Sequence, residues 1–586
     1  MHLFTANLFR FAVCALLLAW IPAPAVRAKD LAPFDSDRFF DPTRLVRIDL
    51  KMTTNDWNAM RVQHRLLIKT LRTDIPPSEQ DKFSDKFRAE LTIDGTPVGT
   101  VSVRKKGFVG SLSPDRPSLK ITLNEYDQDK SFAGIDSLTL NNNRQDPSRL
   151  EQVIGYGLFR KAGLPASRCN LAVVSMNGQS LGVYANVESP DKRFFQHRYP
   201  KDKGTLWEGS VADFDDDATL RLERKFGPKE ATNKLAAVVA ALRRPDGEVL
   251  DALAEVVDVD AFLRFWAIEV LIGHWDGYAS NRNNYFVYYH AQAGRFQFLP
   301  WGVDQLAEDN NRLWGDPTFV PPKSVKAASV ITRRLYNLPQ GRERYFAALR
   351  SLLKEVWNED ELRKQIESLK ELIKDEKPKA GDHDTMPHAS FAKFIGNRRA
   401  DLEAEMKSPY PEWILKPREP IGHISKVGEI ELDFALTRKN PGAGDGKLEE
   451  VSGTAKIQLT FKNKAVLFAA PLLKAASEKM PWGGTKWTIL VSRPPVGPDE
   501  PAAIEVTFYA GIPGETPTAA PLRVDVFASP AQARILEPTT DGALPTGLAA
   551  VGGQLNLTRF DPAKGDEIKG QLKGDLFGND KVAPAK

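Results

Sequence analysis

Apolar and polar residues alternate at a two-residue period in LVRIDLKM (45–52) and FRAELTIDG (87–95), the spacing of half-buried strands. After TIDG the chain re-enters a strand at GTVSVRKK (99–106), passes the loop GFVGSLSPDRP (107–117) and re-enters another at SLKITL (118–123). The period then lengthens. DPSRLEQVIGYGLFRKAGL (146–164) reads as a helix with Asp146 as N-cap, Pro147 in its first turn and Gly163 at its C-terminal end. CNLAVVSMNGQSLGVYANVE (169–188) predicts a hairpin turning on Asn177-Gly178. In VDAFLRFWAIEVLIGH (259–274), Leu263, Trp266, Ala267, Val270 and Leu271 follow the i, i+3, i+4, i+7, i+8 rhythm of a helix, with Asp260 placed to cap it. Helical patterns continue through 348–357, 362–376 and 391–406.

From about Ile421 the character changes. EIELDFALT, TAKIQLTFK, KWTILVS, AIEVTFYAG, LRVDVFA and GQLNLTRF are short strands between turns rich in Gly and Pro, which predicts an appended all-β, sandwich-like region. The expected organisation is a mixed α+β domain at 30–415, a β-rich domain at 421–535, and a small β-rich unit with a loose tail at 536–586.

Length and composition narrow this further. A chain of 586 residues exceeds one compact core, and 42% hydrophobic with 27% charged residues is ordinary for a globular protein. A formal charge of +4 gives no basic stripe of the kind nucleic-acid binding needs. At the N-terminus, Arg10, the apolar run Phe11–Ile21 and the small residues Val26 and Ala28 have the layout of a signal peptide cleaved after Ala28. The run is shorter than the roughly twenty residues a bilayer requires. The expected product is therefore secreted or periplasmic, without a transmembrane anchor. Once Cys14 leaves with that segment, Cys169 alone remains, and its setting in SRCNLAVV marks it as a small hydrophobe in a strand.

The chemistry concentrates in HWDGYASNRNNYFVYY (274–289) and RFQFLPWGVDQ (295–305). The first helix-to-loop junction delivers Asp276. A strand then runs out from Tyr285 and returns from Arg295 to Leu299, each leg covering roughly 17 Å at ~3.3 Å per residue. Closure of that hairpin brings Asp304 back toward Asn283, Asn284 and Asp276. Converging carboxylate and amide oxygens suit a hard cation such as Mg2+. Taken singly, each Asp or Asn also suits a turn or a cap.

These segments, with FDPTRLVRIDLKM, RPSLKITL, FAGIDSLTLNNNRQDPSRLEQVIGYGLFRKAGLPA and the spaced patterns NGxxLGVYxxVE, WDGYxxNxNNY and FLPWxxD, resemble the spore-coat-protein-H (CotH) kinase family over about residues 34–405. The resemblance implies an atypical protein-kinase-like, two-lobed fold using ATP and Mg2+. It implies Asp276 as the catalytic aspartate, Asp304 as the principal metal ligand, and Asn283 or Asn284 as the metal-binding amide. It also places Lys120 toward the phosphates and Glu188 at the strand between lobes. Gly107 and Gly110 provide the small residues of a loop close to phosphates. Glu151 offers a carboxylate to Lys120, although the family's acidic position falls on Gln152. Where the family commonly writes PWDxD, this chain has PWGVD, so Gly302 removes a carboxylate beside the metal. The implied activity is transfer of the ATP γ-phosphoryl group to Ser/Thr of a surface or envelope protein. The alternative is a catalytically weak, kinase-like scaffold serving as a surface-binding, adhesion or coat protein.

Other clusters promise less. The acidic run around Asp213, Asp215, Asp216 and Asp217 lacks the glycine and the final glutamate of an EF-hand and reads as a solvated loop. His383 and His388 sit in a loop-like stretch with Asp382 and Asp384 and read as exposed. HExxH, GxSxG and Walker A patterns are absent, which lowers the case for zincins, α/β-hydrolases and P-loop enzymes.

Overall fold

The computed structural model describes residues 36–580, apart from 73, 76–78, 80–82, 109–110, 216–220, 309–319, 377–387, 408, 416–422, 439–444, 480–484, 495–496, 498–499, 511–521, 526–530, 538–546 and 561–566. The signal segment, Gly110, Asp216, Asp217 and His383 lie outside the described residues, as does the side chain of His388.

Seven strands close into a barrel in the order β1-β2-β3-β4-β5-β7-β6. They are β1 (Leu45–Lys51), β2 (Phe87–Ile93), β3 (Thr96–Lys106), β4 (Ser118–Thr122), β5 (Ser137–Asn141), β6 (Cys169–Met176) and β7 (Gln179–Val187). The two-residue period decides which side chains fill it. Val101, Val103, Leu119, Ile121, Leu138 and Leu140 point inward to a common core. Arg104, Lys106, Lys120 and Thr139 therefore share the outer wall, with Arg104 opposite Lys120 and Lys120 opposite Thr139 in register. Asn177 and Gly178 both take positive φ, 53° and 79°, as the favoured two-residue hairpin turn demands. β6 is buried almost throughout, because Ala172 and Val174 face the barrel core while Cys169 and Leu171 face a larger helical core. Burial pushes the Cys169 thiol up from its ordinary value, which fits its reading as a packing residue.

That larger core joins the helix Glu151–Lys161, the helix Val259–Leu271 and a sheet ordered β11-β10-β8-β9. Its strands are β8 (Thr205–Gly209), β9 (Glu223–Phe226), β10 (Tyr285–His290) and β11 (Arg295–Pro300). Two expected helix starts shift. Val259–Leu271 is capped by Asp258, which accepts from Ala261 N at 3.1 Å, and Asp260 sits in the first turn paired to Arg344. The other helix begins at Glu151 rather than beside Asp146. Arg149 takes a left-handed φ of 64°, and the Asp146 carboxylate accepts from Arg149 N, Glu151 N and Ser148 Oγ. Asp146 thus caps a tight turn that precedes the helix.

Among the described residues the C-terminal region is one sheet of eleven strands, ordered β13-β16-β17-β18-β20-β19-β21-β22-β12-β14-β15, with β13 (Glu449–Glu450), β14 (Ser452–Phe461), β15 (Lys464–Val466), β16 (Leu472–Lys479), β17 (Thr485–Ser492), β18 (Ala503–Ala510), β20 (Ala531–Leu536) and β21 (Gly547–Phe560). Three of them matter below: β12 (His423–Thr437), β19 (Leu522–Val524) and β22 (Glu567–Asp580). β12 pairs with β22 from His423–Asp580 to Thr437–Glu567, and both feed a single core with Trp487, Ile504 and Val551. The chain beyond 536, expected to form a separate small unit, is instead built into that sheet. Two-residue alternation reports that a strand exists but not which distant strand it pairs with.

Candidate active site

Helix Val259–Leu271 ends against Gly273, whose φ is 65°. A Cβ there would meet Glu308 N at 2.9 Å, so glycine is required where the two loops approach. Ala307 N and Glu308 N donate to Ile272 O and Gly273 O, each at 3.0 Å, tying the segment after Asp304 to the segment before Asp276. His274 lies between them, 2% exposed. Burial holds its imidazole down at about 4, opposed by the main chain of Gln305 and Trp301, so the neutral ring spaces the two loops.

Asp276 then leaves the helix end. The loop is fixed from beneath by buried Glu269, which accepts from Tyr278 N at 2.9 Å and Ala279 N at 2.8 Å. Gly277 leaves room for that carboxylate, since a Cβ would come within 2.4 Å of Glu269 Oε1. Burial pushes Glu269 up to about 8, against the pull of its two amide donors. Asp213, expected in a solvated loop, is instead 1% exposed. It accepts from Tyr278 Oη at 2.9 Å and Val330 N at 2.8 Å.

Three asparagine amides converge on Asp276. Asn281 Nδ2 donates to Oδ1 at 2.5 Å, Asn284 Nδ2 to Oδ2 at 2.7 Å, and Asn283 Nδ2 to both oxygens at 3.2 Å. An ionised carboxylate only accepts, so each amide must turn its NH2 inward and its oxygen away. The two asparagines then differ. Asn283 Oδ1 is taken by Val211 N at 3.2 Å and by Ser210 Oγ at 3.5 Å, whereas Asn284 Oδ1 lies against Gly302. Left-handed backbone at Arg282 (φ 57°) and Asn284 (φ 51°) makes the turn that presents them.

β10 and β11 return the chain in register, Tyr285 opposite Pro300, and Trp301 N closes on Asn284 O at 2.9 Å. Asp304 follows. Burial, then the charge of Asp276 and the more modest one of Asp146, push its carboxyl up to about 7, while Lys106 pulls it down. The charge of Asp276 acts on Asp304, and the amides of Asn283 and Asn284 bond Asp276. Among the described residues no group of three or more His, Cys, Asp or Glu side chains is placed to hold a metal. The Asp304 carboxylate and Asn284 Oδ1 are oxygens of the hard type that Mg2+ takes.

The sequence of the family model for "CotH kinase protein" matches residues 103–395, half of the chain. This chain belongs to the CotH kinase family. It is 24% identical to inner spore coat protein H of Bacillus subtilis (strain 168) over 264 residues, 42% of this chain and 70% of that protein. It is 23% identical to invasin CotH7 of Rhizopus delemar over 236 residues, 36% of this chain and 38% of that one. Among solved structures it is similar to the Helicobacter pylori proinflammatory kinase CtkA, at 9% identity and a TM-score of 0.26, covering 48% of this chain and 90% of that chain. The C-terminal sheet and the first two barrel strands fall outside the CotH match.

Within the CotH domain, the lysine whose charge acts on Asp304 is Lys106, which was not among the residues singled out from the sequence. Its Nζ donates to Asn141 Oδ1 and stands 5.6 Å from the Trp301 ring centroid. Burial lowers Lys106 to about 8 against the attraction of Asp304 and Glu208. Asn141 Nδ2 passes on to Gln152 Oε1 at 2.6 Å. Lysine and helix are thus joined by neutral amides, and the family's acidic position is served by Gln152. Glu151, offered from sequence to Lys120, faces elsewhere: it accepts from Leu306 N at 2.7 Å, and burial and Asp146 hold its carboxyl well above the usual range.

Lys120 sits further along the same wall. It donates to Ser137 Oγ at 3.0 Å and to Ser189 Oγ, and burial lowers it to about 8, countered by Asp191 and reinforced by Arg104 and Lys106. Glu188 turns from the cleft. It is held by Arg168 at 2.5 Å and Arg198 at 3.2 Å and is 5% exposed, so its carboxylate braces the chain between lobes. Gly107 has φ 114°, and a Cβ would meet Ser111 Oγ at 2.6 Å. Ser111 accepts from Phe108 N, and Asn142 Nδ2 donates to Ser111 O at 2.8 Å. The signal for Lys106 was present in the two-residue period of β3, which puts it on the same face as Arg104.

Proposed function

We propose that this protein is a Mg2+- and ATP-dependent phosphotransferase of protein-kinase type, acting on a Ser/Thr hydroxyl of a surface or envelope protein. The observation that carries this reading is the convergence of three amide donors on Asp276 with Asp304 and Lys106 in electrostatic reach. Asp276 orients the acceptor hydroxyl and takes its proton; the two 3.2 Å bonds from Asn283 are the weakest at the carboxylate and the ones a hydroxyl would displace. Asp304 and Asn284 Oδ1 would hold Mg2+. When bound, that ion supplies neutralisation of the phosphate oxygens and relief of the Asp276–Asp304 repulsion. Lys106 and Lys120 face the phosphates as point charges, and the Gly107 loop covers them.

An extracellular or coat location is supported by relatives named as a spore coat protein and an invasin. Among the described residues no helix is long and apolar enough to cross a membrane. Those names, and an all-β region outside the CotH match, also favour a second reading: a surface-binding scaffold with little turnover.

Incubating the purified chain with labelled ATP and Mg2+ separates the two. Transfer to protein should fall by at least about a hundredfold in Asp276→Ala and in Asp304→Ala, and chelation of Mg2+ should do the same. Nucleotide binding without transfer in the unaltered chain would leave the scaffold.

A further inference from the structure

The residues that connect the barrel to the C-terminal sheet form a bracket at 61–72. On one side the bracket holds the entry to the Gly107 loop. Lys105, next to the end of strand β3, donates from Nζ to Arg61 O at 2.6 Å and Gln63 O at 2.7 Å, and the Arg65 guanidinium lies 4.9 Å from the Phe108 ring centroid. On the other side the short helix Leu67–Thr70 has no side-chain cap of its own. The cap comes from the distant sheet: Asp525, next to β19 and 6% exposed, accepts from Leu67 N at 2.6 Å and Ile68 N at 3.2 Å. Lys69 pairs with Asp575 of β22 at 2.7 Å, and Arg72 lies 5.9 Å from the Phe577 ring. Ile68 fits where Gly552 has no side chain, since a Cβ there would meet its methyl at 2.7 Å.

We infer that Asp525 is a positioning residue: by holding the 61–72 bracket, the C-terminal sheet sets the position of the Gly107 loop over the nucleotide site. The physical case is that one buried carboxylate supplies the two amide acceptors that a four-residue helix cannot supply itself. Arg65 and Phe108 then carry its position to the loop within a few residues. The nucleotide part of the statement rests on the phosphate-facing reading of that loop; the mechanical part does not.

Hydrogen exchange of the full chain tests it. In Asp525→Ala, exchange at 105–117 should speed up about tenfold while β4 and β5 keep their protection, with Asp525→Glu restoring it. Arg65→Ala, which removes the ring contact to Phe108 but leaves the Lys105 bonds, should free the loop less than Asp525→Ala does, and the double variant should add little to Asp525→Ala. In the kinase assay, Asp525→Ala should raise the ATP KM more than it lowers kcat. Faster exchange at 65–70 with an unchanged loop overturns the inference, as does no change in either segment. If the loop responds but no variant, Asp276→Ala included, alters phosphoryl transfer, the phosphotransferase reading fails and the mechanical coupling stands.

Discussion

Gly302 occupies the position where the family pattern carries an aspartate, and its surroundings explain the exchange. Its φ is 49°, a left-handed value that costs an L-residue roughly 1–2 kcal/mol. A Cβ would fall 2.5 Å from Asn284 Oδ1 and 2.7 Å from its Cγ. The space a side chain at 302 would need is taken by the Asn284 amide, which lies against the backbone there. Gly302→Asp should lower stability by about 1–3 kcal/mol and weaken transfer by loosening Asn284 from Asp276; thermal melting and the labelled-ATP assay read the two effects. A variant that melts higher and binds Mg2+ more tightly would show that the aspartate had simply been lost. At this scale the sequence disclosed Asp276, Asn283, Asn284 and Asp304 because they crowd into two short segments joined by one hairpin. It could not disclose Glu269 or Asp213, whose roles depend on amides brought to them by other parts of the chain. Nor could it show that Glu188 would be claimed by Arg168 and Arg198.

One helix transmits position to Asp304. The helix Glu151–Lys161 touches the segment after β11 in two ways: Glu151 accepts from Leu306 N, and Gly155 lets Val303 and Leu306 approach. A Cβ at 155 would meet Val303 Cγ1 at 2.6 Å and Leu306 Cδ1 at 2.9 Å. In an open helix Gly→Ala would stabilise by up to about 1 kcal/mol. Here overpacking of about 1–3 kcal/mol opposes it. Gly155→Ala should therefore melt lower than the unaltered chain and lose phosphoryl transfer through displacement of Asp304, with both measured at one pH. A higher melting point would mean the contact is slack. The hairpin and the Asn177-Gly178 turn were readable because period and turn chemistry are local. The delayed helix start was not, because Asp146 looks like an immediate N-cap in sequence, whereas a left-handed turn at Arg149 separates it from the helix whose first amide, Glu151 N, it accepts.

Across the described residues, two histidines stay neutral, buried His274 between the loops of the site and half-buried His64 in the bracket. Both are lowered to about 4, first by burial; Arg523 of the C-terminal sheet adds to the effect at His64. The unfolded chain takes up protons near 6.5, the folded chain only near 4. Their contribution to stability is thus full above pH 6.5 and is lost as pH falls toward 4, up to about 3 kcal/mol for His274. Melting temperature should decline across that window, and His64→Gln should flatten part of the decline; a profile unchanged by the substitution would count against it. The all-β character of the C-terminal half was plain from alternation. Its unity was not, since β12 finds its long partner only after most of the intervening strands.

That last pairing bears on how the protein is made. Thr437 waits for Glu567, so as the polypeptide leaves the ribosome β12 spends most of synthesis with one ladder of hydrogen bonds open, and such late, long-range closure is slow and exposed to aggregation. Asp575 and Phe577, which grip the bracket, travel on the same late strand. A nascent chain halted before residue 567 would already carry Asp525 and its hold on the Leu67–Thr70 helix, but the Lys69–Asp575 pair and the Arg72–Phe577 contact would form only when the last strand closes.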